Sequence, residues 1–220
     1  MMMTLPTLYS FRRCPYAMRA RLGLYLAKQT VSLREIILKH KPDPMLQASP
    51  KGTVPVLILP NGEVIDESLA IMKWALAQHD PQNLLVSATN PKQEAANALI
   101  HYNDHSFKPW LDKYKYADRH PQHSQQYYRQ QGEVFIAQLE SLLNKHSQLL
   151  ANTACIVDYA IYPFIRQFAH VDKAWFEQSP YPKVQTWLRN HLQSDDFIAI
   201  MQKYPTWLDS EQAFIFGQLK

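Results

Sequence analysis

Every strand-like run in this 220-residue chain falls within its first eighty residues, and helical periodicity takes over beyond them. Residues 7–11 form a short apolar run, residues 31–37 alternate, and residues 54–59 are compact and apolar. Asn61-Gly62 is a strong hairpin turn leading into residues 63–65. Between these lie two helical patterns. One covers residues 15–28, with Ala17, Leu22, Leu24 and Leu26 apolar. The other covers residues 67–78, with Asp66 reading as its N-cap. The predicted order is β-α-β-(α)-β-β-α. Residues 80–91 carry Pro81, Ser87, Asn90 and Pro91 and read as a linker. From residue 92 only helices are expected. They cover residues 92–117 with a kink at Pro109, 123–150, 156–170, 182–193 and 195–204. In the second of these, Phe135, Leu139, Leu142 and Leu143 recur at helical spacing. The predicted plan is a small α/β domain at residues 1–79, a linker at 80–91 and an all-helical domain at 92–220.

Composition narrows the function classes. With 46% hydrophobic and 19% charged residues, the chain can bury a core and is not of disordered type. The net charge of +4 is spread over single Lys and Arg residues, without a basic block or an aromatic-interleaved basic stripe. That argues against a nucleic-acid partner. No run of about 18 apolar residues occurs, so no membrane partner is expected. The start, Met1-Met2-Met3-Thr4-Leu5-Pro6, lacks a charged region followed by an apolar one and does not read as a signal peptide. Only Cys14 and Cys155 are present, in different contexts. This argues against a disulfide framework and fits a reducing compartment, with the cytoplasm as the expected location.

Cys14 stands in Ser10-Phe11-Arg12-Arg13-Cys14-Pro15-Tyr16-Ala17, between the first strand and the first helix. Proline suits the first helical position, where its missing N–H would have no partner. Cys14 is then at the helix N-terminus, where partial positive charge favours an anion. Arg12, Arg13, Arg19 and Arg21 add cationic charge nearby. Both effects lower a thiol pKa, and the thiolate is the nucleophile. The pattern is C-x-x-A rather than C-x-x-C, because Ala17 stands where a dithiol motif has its second cysteine. On this motif alone, a buried structural cysteine is an equal alternative.

Two further segments bear on that choice. In Lys51-Gly52-Thr53-Val54-Pro55-Val56-Leu57, a proline follows a turn and precedes an apolar strand, which fits a cis bond. Val54 would then present its backbone groups to an extended peptide rather than to a neighbouring strand. The alternative is an ordinary turn before an edge strand. In Asp66-Glu67-Ser68, the last two residues occupy the first turn of a helix. Free N–H groups there, with the Ser68 hydroxyl, can hold a carboxylate, and Glu67 can accept from an ammonium. An α-amino acid end would be recognised at both charges. The alternative is a plain acidic first turn.

These three segments in this order, followed by a helical half, resemble the glutathione transferase superfamily along essentially the whole chain. C-P-Y-A with one cysteine resembles its Omega class and bacterial relatives. It is also similar to two-domain glutaredoxins, which carry C-P-Y-C. Val157-Asp158-Tyr159-Ala160-Ile161-Tyr162-Pro163-Phe164 resembles the family's central helix. Cys155 there replaces the Ser or Thr of the usual capping box and is a poorer cap. The resemblance implies a thioredoxin-like N-terminal domain followed by an all-helical domain, with glutathione as co-substrate. Cys14 would lie at the glutathione sulfur, and Val54, before Pro55, would pair with the ligand backbone. Glu67 and Ser68 would hold the γ-glutamyl end, and Lys41 the glycyl carboxylate. Tyr102, His105, Phe107 and Trp110 would line a second-substrate cleft.

The resemblance implies a monothiol cycle. Cys14 takes up glutathione from a mixed disulfide, and a second glutathione releases it as oxidised glutathione. Deglutathionylation or thiol transfer, with dehydroascorbate or quinone reduction, is the expected activity. The alternatives are conventional conjugation of electrophiles and a non-catalytic interaction module on the same fold. A homodimer or a monomer fits the family. His101 and His105 stand at i, i+4, a spacing that can hold a metal. With no third ligand in the pattern, no metal is expected, and Cys155 is expected to be structural.

Overall fold

The computed structural model describes residues 4–87 and 90–217. Residues 1–3, 88–89 and 218–220, assigned above to the first domain, the linker and the helical domain, lie outside the described residues. Contacts divide the chain into two compact units, Met1–Asn83 with Asp195–Lys220, and Leu84–Ser194.

In the first unit, alternation in Val31–Glu35 (β2) buries Val31, Leu33 and Glu35 on one face. β2 runs parallel to Thr7–Ser10 (β1), with Leu8 opposite Leu33. β1 is buried nearly throughout, because Val56–Ile58 (β3) pairs antiparallel on its other side. The Asn61-Gly62 turn closes as expected. Gly62 adopts φ +88°, a conformation open to glycine, and Val64–Ile65 (β4) completes the hairpin. Pro15–Leu26 (α1), Asp43–Ala48 (α2) and Ser68–Gln78 (α3) supply the helices. α1 and α3 pack closely at Gly23, where an added Cβ would lie 2.5 Å from the Met72 Cα.

The end of the chain departs from expectation. Asp195–Ile200 (α10) is helical, but Phe214–Phe216 is a strand (β5) antiparallel to β2, giving the sheet order β4-β3-β1-β2-β5. The C-terminal segment, expected within the helical domain, therefore belongs to the first unit. A three-residue strand has too little period to read from sequence, and pairing with the open edge of β2 decides its state.

The second unit holds Gln93–Tyr102 (α4), Lys108–Lys115 (α5), Gln125–Leu143 (α6), Ile156–Ala169 (α7), Lys173–Gln178 (α8) and Pro182–Gln193 (α9). The kink expected at Pro109 forms just before it, as a π-helical turn over Asn103–Phe107. Pro109 lies in the first turn of α5 and cannot donate to the carbonyl four residues back. Phe107, Phe135 and Phe168 meet at the centre with ring centroids 5.1 and 5.6 Å apart. α7 is buried almost throughout. Its capping box forms with Cys155 in place of Ser or Thr, and Asp158 accepts the Cys155 N–H at 3.0 Å.

Candidate active site

Cys14 is the N-cap of α1, in extended conformation, with Pro15 at the first helical position. A tight turn brings it there, since the Cys14 N–H donates to the Phe11 carbonyl at 3.0 Å. The half-buried side chain packs with Phe11 against Tyr9, Ile36, Met45, Val54 and Val56. The Val54–Pro55 bond is cis, and the Cys14 Sγ lies 3.9 Å from the Val54 carbonyl oxygen. Val54 sits two residues before Val56, the first residue of β3, so its backbone lies outside the ladder that β3 makes with β1.

The arginines around Cys14 do other work. Arg21 is fully buried on α1 and forms an ion pair with Glu35. Its Nε donates to Ser10 Oγ at 2.8 Å and its Nη1 to the Ile200 carbonyl at 3.0 Å. Burial pulls its pKa down, while Glu35 opposes the shift. The other Glu35 oxygen accepts the Arg12 N–H at 2.7 Å, which ties the end of β2 to the loop before Cys14. Arg19, 1% exposed, donates to Ser68 Oγ at 3.4 Å. Arg13 is exposed, with its guanidinium 5.3 Å from the Phe11 ring centroid.

Glu67 and Ser68 stand at the start of α3, one position later than expected. Glu67 is the N-cap, and Ser68 is the first helical residue at 3% exposure. Asp66, read as the cap, instead accepts from Ser49 Oγ at 2.8 Å and pairs with Lys51 at 3.6 Å. Lys51 also pairs with Glu67, whose side chain is 69% exposed. Sequence reasoning did not pick out this role of Lys51, because a lone lysine before a turn carries no pattern. Lys41 approaches the same region. Its Nζ lies 3.5 Å from where a Gly52 Cβ would sit, and Gly52 adopts φ +61°. Cys14 and Val54 are thus in contact, and Lys41 and Gly52 form the next patch. Glu67 and Ser68 are linked to them through Lys51 and Arg19.

The residues predicted to line a second-substrate cleft fare differently. Phe107 is 1% exposed and packs on Phe135 and Phe168, so it is a core residue and cannot line a cleft. Tyr102 stacks on Phe135 at 5.1 Å and is half-buried. Trp110 is half-buried, with the Lys113 ammonium 4.6 Å from its ring centroid. His105 is exposed beside His101, their ring centroids 4.3 Å apart. Among the described residues, no three His, Cys, Asp or Glu side chains are grouped to hold a metal. No described helix is long and apolar enough to cross a membrane.

Residues 8–83 match the family model for the glutathione S-transferase N-terminal domain. A probable glutathione transferase of Aplysia californica is 36% identical over 92 residues, 42% of this chain and 96% of that protein. The chain belongs to the glutathione transferase family. Pig glutathione S-transferase omega-1 is 25% identical over 161 residues, 72% of this chain and 65% of its own length. The match thus spans less than two thirds of the pig protein. Among solved structures, the URE2P6 glutathione transferase of Phanerochaete chrysosporium, crystallised with oxidized glutathione, superposes with a TM-score of 0.78 at 19% identity. That superposition covers 90% of this chain and 95% of the other. A family member from Pseudomonas fluorescens with two glutathione bound gives 0.75 at 16% identity, over 90% and 92%. At these identities the likeness speaks for the fold, a thioredoxin-like sheet with helices followed by a helical region.

Within this family member, the two cysteines are chemically unlike. Burial and the neighbouring Asp158 carboxylate push the Cys155 thiol up to about 11. A thiol held protonated in this way neither attacks nor ligates readily.

Proposed function

We propose that this glutathione transferase family member is a monothiol, glutathione-dependent thiol transferase working through Cys14. The observation that carries the reading is a cysteine at the N-cap of α1, with its Sγ 3.9 Å from the Val54 carbonyl at a cis proline. Helix N-terminal charge favours the thiolate there. In a ligand-bound state, Val54, whose backbone lies outside the β1–β3 ladder, would pair with the extended glutathione backbone. The α3 N-terminus and the Ser68 hydroxyl would hold the γ-glutamyl carboxylate. Glu67 would exchange its Lys51 partner for the γ-glutamyl ammonium, and Lys41 would take the glycyl carboxylate.

The chemistry is a pair of disulfide exchanges. The Cys14 thiolate attacks the glutathione sulfur of a mixed disulfide. A Cys14–glutathione disulfide forms, the original S–S bond breaks, and the partner leaves as a thiolate that takes up a proton from water. Ala17 offers no second thiol, so a glutathione thiolate attacks the adduct. Oxidised glutathione leaves, and the Cys14 thiolate returns.

Intact and peptide mass spectrometry after incubating reduced protein with oxidised glutathione tests this cycle. One glutathione adduct on the Cys14 peptide, removed again by free glutathione, is expected. Glutathione binding without an adduct would move the reading to conjugation. Neither adduct nor binding would move it to a non-catalytic interaction role.

A further inference from the structure

We infer that the preferred substrates are mixed disulfides whose leaving thiol carries an anionic group, which binds a cationic pocket beside Cys14. This inference rests on the thiol-transfer reading above and adds the substrate class. The pocket, about 260 Å³, is lined by Phe11, Arg12, Arg13, Glu35, Lys203 and Tyr204 among others, all in the first unit. It opens where the parallel strands β1 and β2 end, the usual place for ligands in open α/β sheets. Phe11 and Ile36 line it and also belong to the apolar cluster against which Cys14 packs, so the pocket adjoins the residues around the thiol.

Its charge is one-sided. Arg12, Arg13 and Lys203 contribute three cations. Glu35 is its one lining carboxylate, and that group is already committed to Arg21 and to the Arg12 N–H. Among the described residues, Arg13 and Lys203 have no ion-pair partner, and both are exposed. The Arg12 Nη1 reaches only the Met201 carbonyl, at 3.5 Å. The volume lies below the roughly 300–1,000 Å³ of sites that enclose a whole drug-sized ligand. It suits a carboxylate, sulfonate or phosphate on a short stem rather than a peptide. The anionic arm would orient the disulfide so that the glutathione sulfur faces Cys14 and the leaving thiolate departs over Arg12 and Arg13. Their positive charge stabilises it as the S–S bond breaks.

Two measurements test this. In the first, Cys14 alkylation rates by iodoacetate and iodoacetamide, reagents of similar size that differ in charge, are read by peptide mass spectrometry. Their ratio is expected to exceed that of a neutral free thiol by about five- to tenfold, the scale of two or three exposed ion pairs. It should shrink in high salt and fall towards the free-thiol value in the Arg13→Gln/Lys203→Gln double variant. This readout needs no turnover, so it stands apart from the thiol-transfer reading. The second compares kcat/KM for mixed disulfides of glutathione with 2-mercaptoethanesulfonate and with 2-mercaptoethanol. The sulfonate is expected to lead by a similar factor, and the double variant to lose that lead. If Cys14 turns over neither disulfide, the thiol-transfer reading fails and the substrate class falls with it. If both turn over equally, or the alkylation ratio matches a free thiol, the pocket assignment alone is overturned.

Discussion

A cysteine's chemistry is set by what surrounds it, and the two in this chain have different surroundings. Cys14 caps a helix N-terminus, whereas Cys155 is pushed up to about 11 by burial and Asp158. At pH 8 only roughly one Cys155 in a thousand is then ionised. Brief iodoacetamide treatment of the folded protein should label the Cys14 peptide and leave the Cys155 peptide unmodified. In Cys14→Ser protein, both that label and the glutathione adduct should disappear. Ser68→Ala removes a hydroxyl proposed to donate to the glutathione carboxylate. It should raise the KM for glutathione about fivefold, as expected for about 1 kcal/mol, measured by steady-state kinetics. His191 offers a pH test in the second unit. It is buried between Tyr162, stacked at 4.9 Å, and Trp187, with its Nε2 3.0 Å from Gln148 Oε1. Burial lowers its pKa to about 4. The folded state therefore favours the neutral ring. The stability this gives is complete above the unfolded value near ~6.5 and is lost as pH falls towards the folded value. Between pH 7 and pH 5 the loss should be about 2 kcal/mol. Urea unfolding midpoints should show that extra decline in the native protein and not in His191→Leu.

At the scale of elements, patterned segments were legible and their ends were not. Residues 15–28, 67–78, 156–170 and 182–193 read as helices, and α1, α3, α7 and α9 form there with ends shifted by at most a few residues. Asp66 reads as a cap from composition, yet Lys51 and Ser49 draw its carboxylate away and Glu67 takes the cap position. Such competition is invisible before the β3 approach is folded beside α3. The α1–α3 contact depends on a missing side chain. Gly23→Ala would drive a methyl group into the Met72 backbone, which cannot swing aside. The substitution should cost about 1–3 kcal/mol, read from the urea midpoint. Arg21 and Glu35 join α1 to β2 inside the same unit. Arg21→Ala leaves a buried carboxylate without its cation and should cost about 3–5 kcal/mol. Replacing both residues with methionine should cost less, because no charge is then stranded.

For the molecule as a whole, the first unit is discontinuous in sequence. β5 extends its sheet, the Ile200 carbonyl accepts from Arg21, and Trp207 sits under the Arg34 guanidinium, 4.5 Å from its ring centroid, and edge-on to Tyr9 at 6.3 Å. Residues 1–83 expressed alone should thus lack cooperative thermal unfolding by circular dichroism, although they contain every proposed glutathione-binding residue. From the sequence alone came the alternation of strand and helix signals and the thiol at a strand–helix junction, each a local matter of apolar period or residue type. The proposed ligand positions came from the family resemblance, and the structure chose the cis bond at Pro55 over an ordinary turn. The tertiary structure decided where the charges go and where the chain end belongs. It buried Arg19 against Ser68 and Arg21 against Glu35, turned Phe107 into core and laid Phe214–Phe216 on β2. Those outcomes depend on which distant groups come within hydrogen-bonding or packing range, and no local pattern encodes that.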